Sequence, residues 1–177
     1  MFSGDQRFSA IYRNQWAEVP VPYMSVAGSF DEKLYLPGLN NGLVSWGISF
    51  IRDEAGDGNL SWTILQASFA YVQQLADVWF LSGGVELGGG QRAFEADKLF
   101  FGDQFNGDIF DPNLKTGEGF DQTSAGFFSL GSGVNLYFQD LDSRSVAYFG
   151  VAGHNLNQPG LAFFNQDKIQ LPMRTSV

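Results

Sequence analysis

His154 is the only histidine in the sequence, and it is the residue around which a hydrolase-like site would be built. A Ser–His–Asp set could be assembled from Ser145, His154 and Asp142, with the histidine relaying the serine proton. Nothing in the sequence brings these three together. The Gly-x-Ser-x-Gly elbow of many hydrolases is absent. The nearest match, Ser132 between two glycines, lies inside a predicted strand. A site with several histidine ligands is excluded, and so are thiolate ligands, because cysteine is absent. We therefore predict no enzymatic activity, no catalytic residue and no cofactor, with His154 at the end of a strand.

Carboxylates cluster in residues 53–59, where two aspartates, a glutamate and an asparagine surround two glycines. Oxygen ligands on such a turn suit calcium, but the twelve-residue loop with its closing glutamate is missing, so a solvated turn is the better interpretation. The same holds for Asp103, Asp108, Asp111 and Asn113. The triple glycine at 88–90 lacks the lysine and helix start of a phosphate loop, which favours strand curvature instead. We predict no metal site.

The composition narrows the class of protein. Charged residues make up 16% of the 177 residues and aromatic residues another 16%, with 22 glycines and a net charge of −9. No cluster of lysine and arginine is present, which argues against a nucleic-acid partner. No run of about 20 apolar residues is present either, so a helical membrane protein is not expected.

Alternation with a period of two dominates the sequence, and this places successive side chains on opposite faces of a strand. It predicts seven strands and the start of an eighth: residues 7–16, 23–30, 42–52, 59–73, 78–90, 125–138, 146–154 and 171–177. Within most of them, large apolar side chains alternate with serine, glycine, alanine and asparagine. Such small polar groups fit the curved inner wall of a barrel, and the large apolar row fits a lipid-facing band.

The fold class that follows is all-β: an antiparallel up-and-down transmembrane barrel, of which the chain supplies about seven to eight strands. Trp16, Trp46, Trp62, Trp79 and Tyr12 are candidates for the interfacial girdles of such a barrel. The alternative is a soluble β-sandwich or a lipocalin-like barrel that buries the same apolar rows.

The connections alternate in length as well. Residues 17–22, 53–58, 93–123 and 155–171 form the longer loops, and residues 74–77 and 139–144 form tight turns, with 31–41 as an exception. Longer loops in outer-membrane barrels face the cell exterior. The loop at 93–123 carries many aromatic residues for a polar loop, and it is predicted to be a plug or a partner surface through Phe94, Phe100, Phe101, Phe105 and Phe110.

The chain is expected to be a single domain, residues 1–177, that is truncated at both ends. Bacterial outer-membrane barrels have an even number of strands and no open edge in lipid, whereas this sequence stops within an apparent strand. The missing signal peptide is attributed to the same truncation.

Two short blocks carry a resemblance to a known family. Residues 7–16 end in Tyr-Arg-Asn-Gln-Trp, with Arg13, Asn14, Gln15 and Trp16, and resemble the first strand of the PorP/SprF family. In that family, a segment Asn-Pro-Ala-x-x-Gly precedes this strand. Residues 150–159, with His154, Asn155 and Pro159, resemble the family's Gly-x-Ser/Ala-x-x-His-Leu-x-x-Pro region, and a Leu-Pro pair follows at Leu171-Pro172.

The resemblance implies an outer-membrane barrel of the type IX secretion system of Bacteroidetes, a system that also serves gliding. Its implied partners are the secretion components, secreted surface proteins such as adhesins, and the lipid bilayer. Two other functions stay open: a general porin or small-solute channel of the same architecture, and a soluble protein that binds an apolar ligand.

Overall fold

The computed structural model describes residues 4–18, 20–39, 41–105, 107, 109–114, 117, 119, 122–140, 142–163 and 169–177. In this part of the chain there are eight strands and two 3-10 turns, the latter at Ala96–Lys98 and Gly102–Gln104. The strands are β1 (Gln6–Gln15), β2 (Tyr23–Leu34), β3 (Gly42–Ala55), β4 (Leu60–Ala76), β5 (Trp79–Ala93), β6 (Ser124–Asp140), β7 (Ser145–His154) and β8 (Arg174–Ser176).

All eight strands form one antiparallel sheet in which each strand pairs with its neighbours in sequence. The predicted all-β, up-and-down order is therefore confirmed. Within the described residues, the sheet is open, because no pairing joins β1 to β8. No helix in this part of the chain is long and apolar enough to cross a membrane.

The connections separate into two groups because successive strands run in opposite directions. One end of the sheet, here called the loop end, carries the connections 16–22, 56–59, 94–123 and 155–173. The other, the turn end, carries 35–41, 77–78 and 141–144. The predicted alternation is confirmed from residue 77 onward. Before that point, the loop expected at 53–58 is a tight turn, and the connection 35–41, the exception noted in the sequence, is as long as 16–22. Strand β3 continues to Ala55, and Asn59, with φ 45°, closes the turn by donating its N–H to Gly56 O at 3.0 Å.

The strand register sorts the side chains into two faces. The apolar face carries the rows predicted from alternation, including Phe30, Ile48, Leu87 and Leu130, which follow one another across the sheet with Ala67. Charged groups on this face lie toward the strand ends. Glu32 accepts hydrogen bonds from Gln6 and from the Trp46 indole, and Arg52 pairs with Glu54 at 3.1 Å.

The large side chains of the apolar face are not packed into a core. Most are exposed, and the buried apolar residues of the described chain, proline and glycine aside, are Val72, Ala125, Tyr137 and Leu161. The first three of these lie on the opposite, polar face. The accessible surface is 12230 Å², against roughly 8,500 Å² for a compact monomer of this mass. The sheet therefore leaves its largest apolar surface uncovered.

One candidate for an interfacial girdle, Trp62, lies on the polar face and not on the apolar face that was predicted for it. Trp62 pairs in register with Asp53 and Arg92 on the polar face, where its ring lies 5.4 Å from that of Phe127 and 5.9 Å from the Arg92 guanidinium. Alternation in β4 is weak, so the sequence pattern did not determine which row is apolar. Trp46, Trp79 and Tyr12 do lie on the apolar face, and Trp16 follows the end of β1.

Candidate functional site

A row of charged and polar residues crosses the polar face at one level of the register. From β1 to β6 the row contains Arg7, Asp31, Gly47, Ser68, Glu86 and Gly131. His154, which comes close to Glu86, and its register partner Arg174 continue the row in β7 and β8. The neighbouring row consists of Ser9, Ser29, Ser49, Gln66, Gly88 and Ser129. Together they form a polar belt across the sheet, and these two rows are called the belt below.

Glycines in the belt make room for its carboxylates. Arg7 Nη2 lies 2.8 Å from Asp31 Oδ2, and the other carboxylate oxygen leans over Gly47, where an added Cβ would meet it at 2.7 Å. Gly131 is similarly covered, since its added Cβ would lie 3.4 Å from Glu86 Cβ. The polar side chains therefore lie along the sheet instead of standing away from it.

His154 comes close to Glu86 in the belt, with Nδ1 4.0 Å from Glu86 Oε1. The same carboxylate oxygen accepts a hydrogen bond from Gln66 Nε2 at 2.9 Å. The Ser–His–Asp set considered from the sequence is not assembled. Ser145 begins β7 and His154 ends it, so the two are separated by roughly 30 Å of extended chain. The geometry gives His154 a polar contact within the belt.

Acidic residues in the described chain do not converge on a metal site. No group of three or more histidine, aspartate or glutamate side chains in that part could hold an ion. Glu54 is paired with Arg52, and Asp111 Oδ1 accepts bonds from Asn113 N and Nδ2 at 2.9 and 3.0 Å. Asp108 lies outside the described residues. The first contact lies within strand β3, and the second is that of an ordinary turn.

The first block that resembles a family, Arg13–Trp16, ends β1 at the loop end. Arg13 and Gln15 lie on the polar face and Asn14 on the apolar face. Trp16 has φ 57° and packs edge-on against Tyr23, with ring centroids 5.8 Å apart. The tryptophan thus closes the connection between β1 and β2.

The second block, with His154, Asn155 and Pro159, shapes the connection between β7 and β8. Asn155, with φ 53°, donates from Nδ2 to Pro172 O at 3.3 Å. Pro159 is buried, and its carbonyl accepts the Leu171 N–H at 2.9 Å. Both blocks lie at the loop end, but five strands separate β1 from β7 in the sheet, so the blocks form two distinct structural elements.

Asn157, which the sequence did not single out, binds the free edge of β6 near the loop end. Strand β7 pairs with β6 only from Ser132 onward. Toward the loop end, no strand of the described residues pairs with this edge of β6. The Asn157 side chain takes the place of a strand there, accepting the Leu130 N–H at 3.0 Å and donating to Phe128 O at 2.6 Å. An asparagine three residues after a strand end carries no sequence signal for this role.

Replacing this amide is expected to destabilise the sheet. Asn157→Leu keeps the size of the side chain but removes two exposed hydrogen bonds to backbone groups, which costs about 0.5–1.5 kcal/mol of the free energy of unfolding for each bond. Urea unfolding in phospholipid vesicles, followed by tryptophan fluorescence, measures it. Asn14→Leu is the control, because the Asn14 amide has no hydrogen bond within the described residues. Equal stability of the two variants would contradict the role of Asn157.

The long loop 94–123 is attached to the ends of β3 and β4. Glu95 N donates to Gly58 O at 2.7 Å, and Leu99 covers Gly58 so closely that an added Cβ would meet it at 2.7 Å. Phe94 packs edge-on against Phe163 of the β7–β8 connection, with centroids 5.0 Å apart. The two long loops therefore contact each other at the loop end of the sheet.

Glu95 forms an ion pair within the loop and accepts a hydrogen bond from the turn between β3 and β4. Lys98 Nζ lies 2.7 Å from Glu95 Oε2, and Asn59 Nδ2 donates to Glu95 Oε1 at 2.7 Å. The hydrogen bond from Lys98, followed by that from Asn59, lowers the pKa of Glu95. Because the pKa is depressed in the folded state, this contribution is present above the ordinary glutamate range and is lost as the pH falls through the lowered value. Both groups are exposed, so the pair contributes little to stability.

The other aromatic residues predicted for this loop form a cluster. Phe110 lies edge-on to Phe100 and tilted to Phe105, with centroid distances of 5.2 and 5.4 Å. Phe101 donates its backbone N–H to Gln104 Oε1 at 3.0 Å. Of the five phenylalanines, the structure brings Phe100, Phe105 and Phe110 together, while Phe94 contacts the other long loop.

Comparison with known proteins gives one match. A family model described as "Type IX secretion system membrane protein PorP/SprF" matches residues 2–177. No curated protein and no solved structure matches the chain. The match covers both sequence blocks and every strand of the sheet.

Proposed function

We propose that this chain, which belongs to the PorP/SprF family of type IX secretion system membrane proteins, is part of a non-enzymatic β-barrel in the bacterial outer membrane. The barrel helps to export surface proteins or to anchor them. Its partners are the components of the secretion system, the surface proteins themselves and the surrounding lipid. The work is done by the lumen and by the loops, since the strands carry no catalytic set.

The distribution of side chains on the sheet carries this proposal. Phe69, Val85 and Phe128 are about half exposed on the apolar face, although a water-soluble protein buries such residues in a core. The opposite face carries the belt, with its charged and hydroxyl groups. Lipid outside and water inside a barrel satisfy both faces at once.

Closure of the sheet belongs to the same proposal. Within the described residues, β1 and β8 each have one unpaired edge, and lipid offers no hydrogen bonds to backbone groups. We expect additional strands to pair with these edges, so that the eight strands are one part of a single, larger barrel domain. Longer loops of outer-membrane barrels face outward, so the loop end is the extracellular side.

The proposal is tested in a bacterium that encodes this protein together with a type IX secretion system. We expect the protein in the outer-membrane fraction, with the heat-dependent electrophoretic mobility of a folded barrel. Deletion of the gene should remove specific proteins from the cell surface, and expression of the intact gene should restore them. Recovery in the soluble fraction would contradict the proposal. An unchanged set of surface proteins, with ion conductance in planar bilayers, would instead favour a general channel.

A further inference from the structure

Among the described residues of the loop between β5 and β6, three large apolar side chains are more than half exposed: Phe100, Phe105 and Ile109. Their exposed fractions are 69%, 58% and 72%. These three residues are called the loop patch. Resting on the function proposed above, we propose that the loop patch binds a cationic segment of a secreted protein that carries large apolar side chains.

The loop patch is held in place by the loop itself. Gln104 is only 6% exposed, and its side chain accepts the Phe101 N–H at 3.0 Å and donates to Pro112 O at 3.4 Å. The Gln104 carbonyl also accepts the Asp111 N–H at 2.9 Å. A buried amide with both of its atoms bonded fixes the backbone on either side of it. The aromatic rings are therefore ordered before a partner arrives, which lowers the entropic cost of binding.

Packing within the loop does not cover the loop patch. The ring of Phe110 lies between Phe100 and Phe105 and contacts both, and a β-bridge joins Phe105 to Phe110. Phe100 and Phe105 nevertheless stay more than half exposed. A plug in the lumen would cover these rings against the polar face, so their exposure favours a partner surface.

The charge of the loop indicates which partner fits. Residues 94–123 contain seven acidic and two basic residues, a net charge of −5. Among the described residues, Asp103 and Asp111 accept hydrogen bonds from uncharged donors alone: the Gly117 N–H and the Asn113 backbone and side-chain amides. Their negative charge is therefore not neutralised by these contacts. The negative charge of the loop attracts a cationic partner and repels an anionic lipid surface.

The experiment uses the full-length protein in nanodiscs of zwitterionic phospholipid. The probe is a short fluorescent peptide in which lysine and leucine alternate, and its binding is followed by fluorescence anisotropy. Two matched peptides replace lysine by glutamate or leucine by serine. We expect the lysine–leucine peptide to bind at least about tenfold more tightly than either, with an affinity that falls as salt is raised.

Variants locate the binding site. The triple variant Phe100→Ser, Phe105→Ser, Ile109→Ser is expected to weaken binding at least about tenfold. The single variant Ile109→Ser, at a residue too exposed to support the fold, should also weaken it measurably. Asp103→Asn with Asp111→Asn keeps the acceptor oxygens and should reduce both affinity and salt dependence. The control is Tyr35→Ser with Leu36→Ser, which removes two exposed apolar residues at the turn end and should leave binding unchanged.

Several results would overturn this inference: equal binding to the triple variant, preference for the glutamate–leucine peptide, or equal binding to empty nanodiscs, which would assign the affinity to lipid. Heat-dependent electrophoretic mobility of the reconstituted protein separates the two proposals. A protein that does not insert as a folded barrel contradicts the proposed function. A protein that inserts but does not bind the lysine–leucine peptide contradicts only the role of the loop patch.

Discussion

Phe69→Arg is expected to destabilise the folded state in a bilayer by about 2–4 kcal/mol, the cost of an arginine on the lipid side of a barrel near the midplane. Phe69 lies near the middle of β4 on the apolar face, 49% exposed, between Trp46 and Val85 of the adjacent strands. The new guanidinium group would replace an apolar ring whose two direct register partners, Trp46 and Val85, are both uncharged. In cells, this variant should reach the outer membrane in strongly reduced amounts.

The adjacent residue provides the matched control, because neighbouring residues on a strand point to opposite faces. Ser68→Arg introduces the same charge on the polar face, within the belt and directly across from Glu86. A carboxylate at that position can pair with the new guanidinium group. We expect a stability close to that of the unaltered protein.

Folding into phospholipid vesicles of defined thickness, followed by tryptophan fluorescence in urea, measures both variants. Comparable losses of stability for Phe69→Arg and Ser68→Arg would contradict the proposal that one face contacts lipid and the other contacts water. Little or no loss in either variant would count equally against lipid contact at Phe69.

Gly90→Ala is expected to destabilise the sheet by about 1–3 kcal/mol, the usual cost of forcing extra atoms into a packed site. The Phe127 ring covers Gly90, and an added Cβ would also lie 2.8 Å from the Thr63 carbonyl oxygen, which is backbone. Phe127 also packs against Trp62 at 5.4 Å. Movement of Phe127 away from Gly90 would therefore disturb a second aromatic contact.

Gly89→Ala is the matched control for this substitution. Its side chain would point to the apolar face, where nothing lies within 4 Å of an added Cβ. Since glycine within a strand costs about 0.5–1 kcal/mol relative to alanine, this variant should be neutral or slightly more stable. The same urea titration measures both, and a loss at Gly89 as large as that at Gly90 would show that the aromatic cover is not the cause.

Prediction from the sequence succeeded where the signal was local. Val44, Trp46, Ile48 and Phe50 alternate strictly with small residues, and the structure places them on one face of β3. It failed where local signals were mixed. Acidic residues at the end of β3 were assigned to a loop because their type is common in turns, although β3 continues through them to Ala55.

The candidate site was recovered less completely. The five phenylalanines of the long loop stay a prediction as a plug or partner surface, and the sequence contains no signal for the buried Gln104 that holds the loop around Phe101 and Pro112. An isolated glutamine carries no pattern, and its role arises from two backbone groups, one of them eight residues away. Asn157 was missed for the same reason, since its partners Leu130 and Phe128 are 27 and 29 residues earlier in the chain.

By itself, the sequence determined the strands, most of the apolar and polar faces and the order of long and short connections, because each depends on the two-residue period of an extended chain. Only the tertiary structure decided which residues share a row across the sheet: Arg7 with Asp31, Glu86 with His154, Phe127 over Gly90. Register joins residues that are distant in the chain, and it is set by the pairing of whole strands at once. No single segment of sequence contains it.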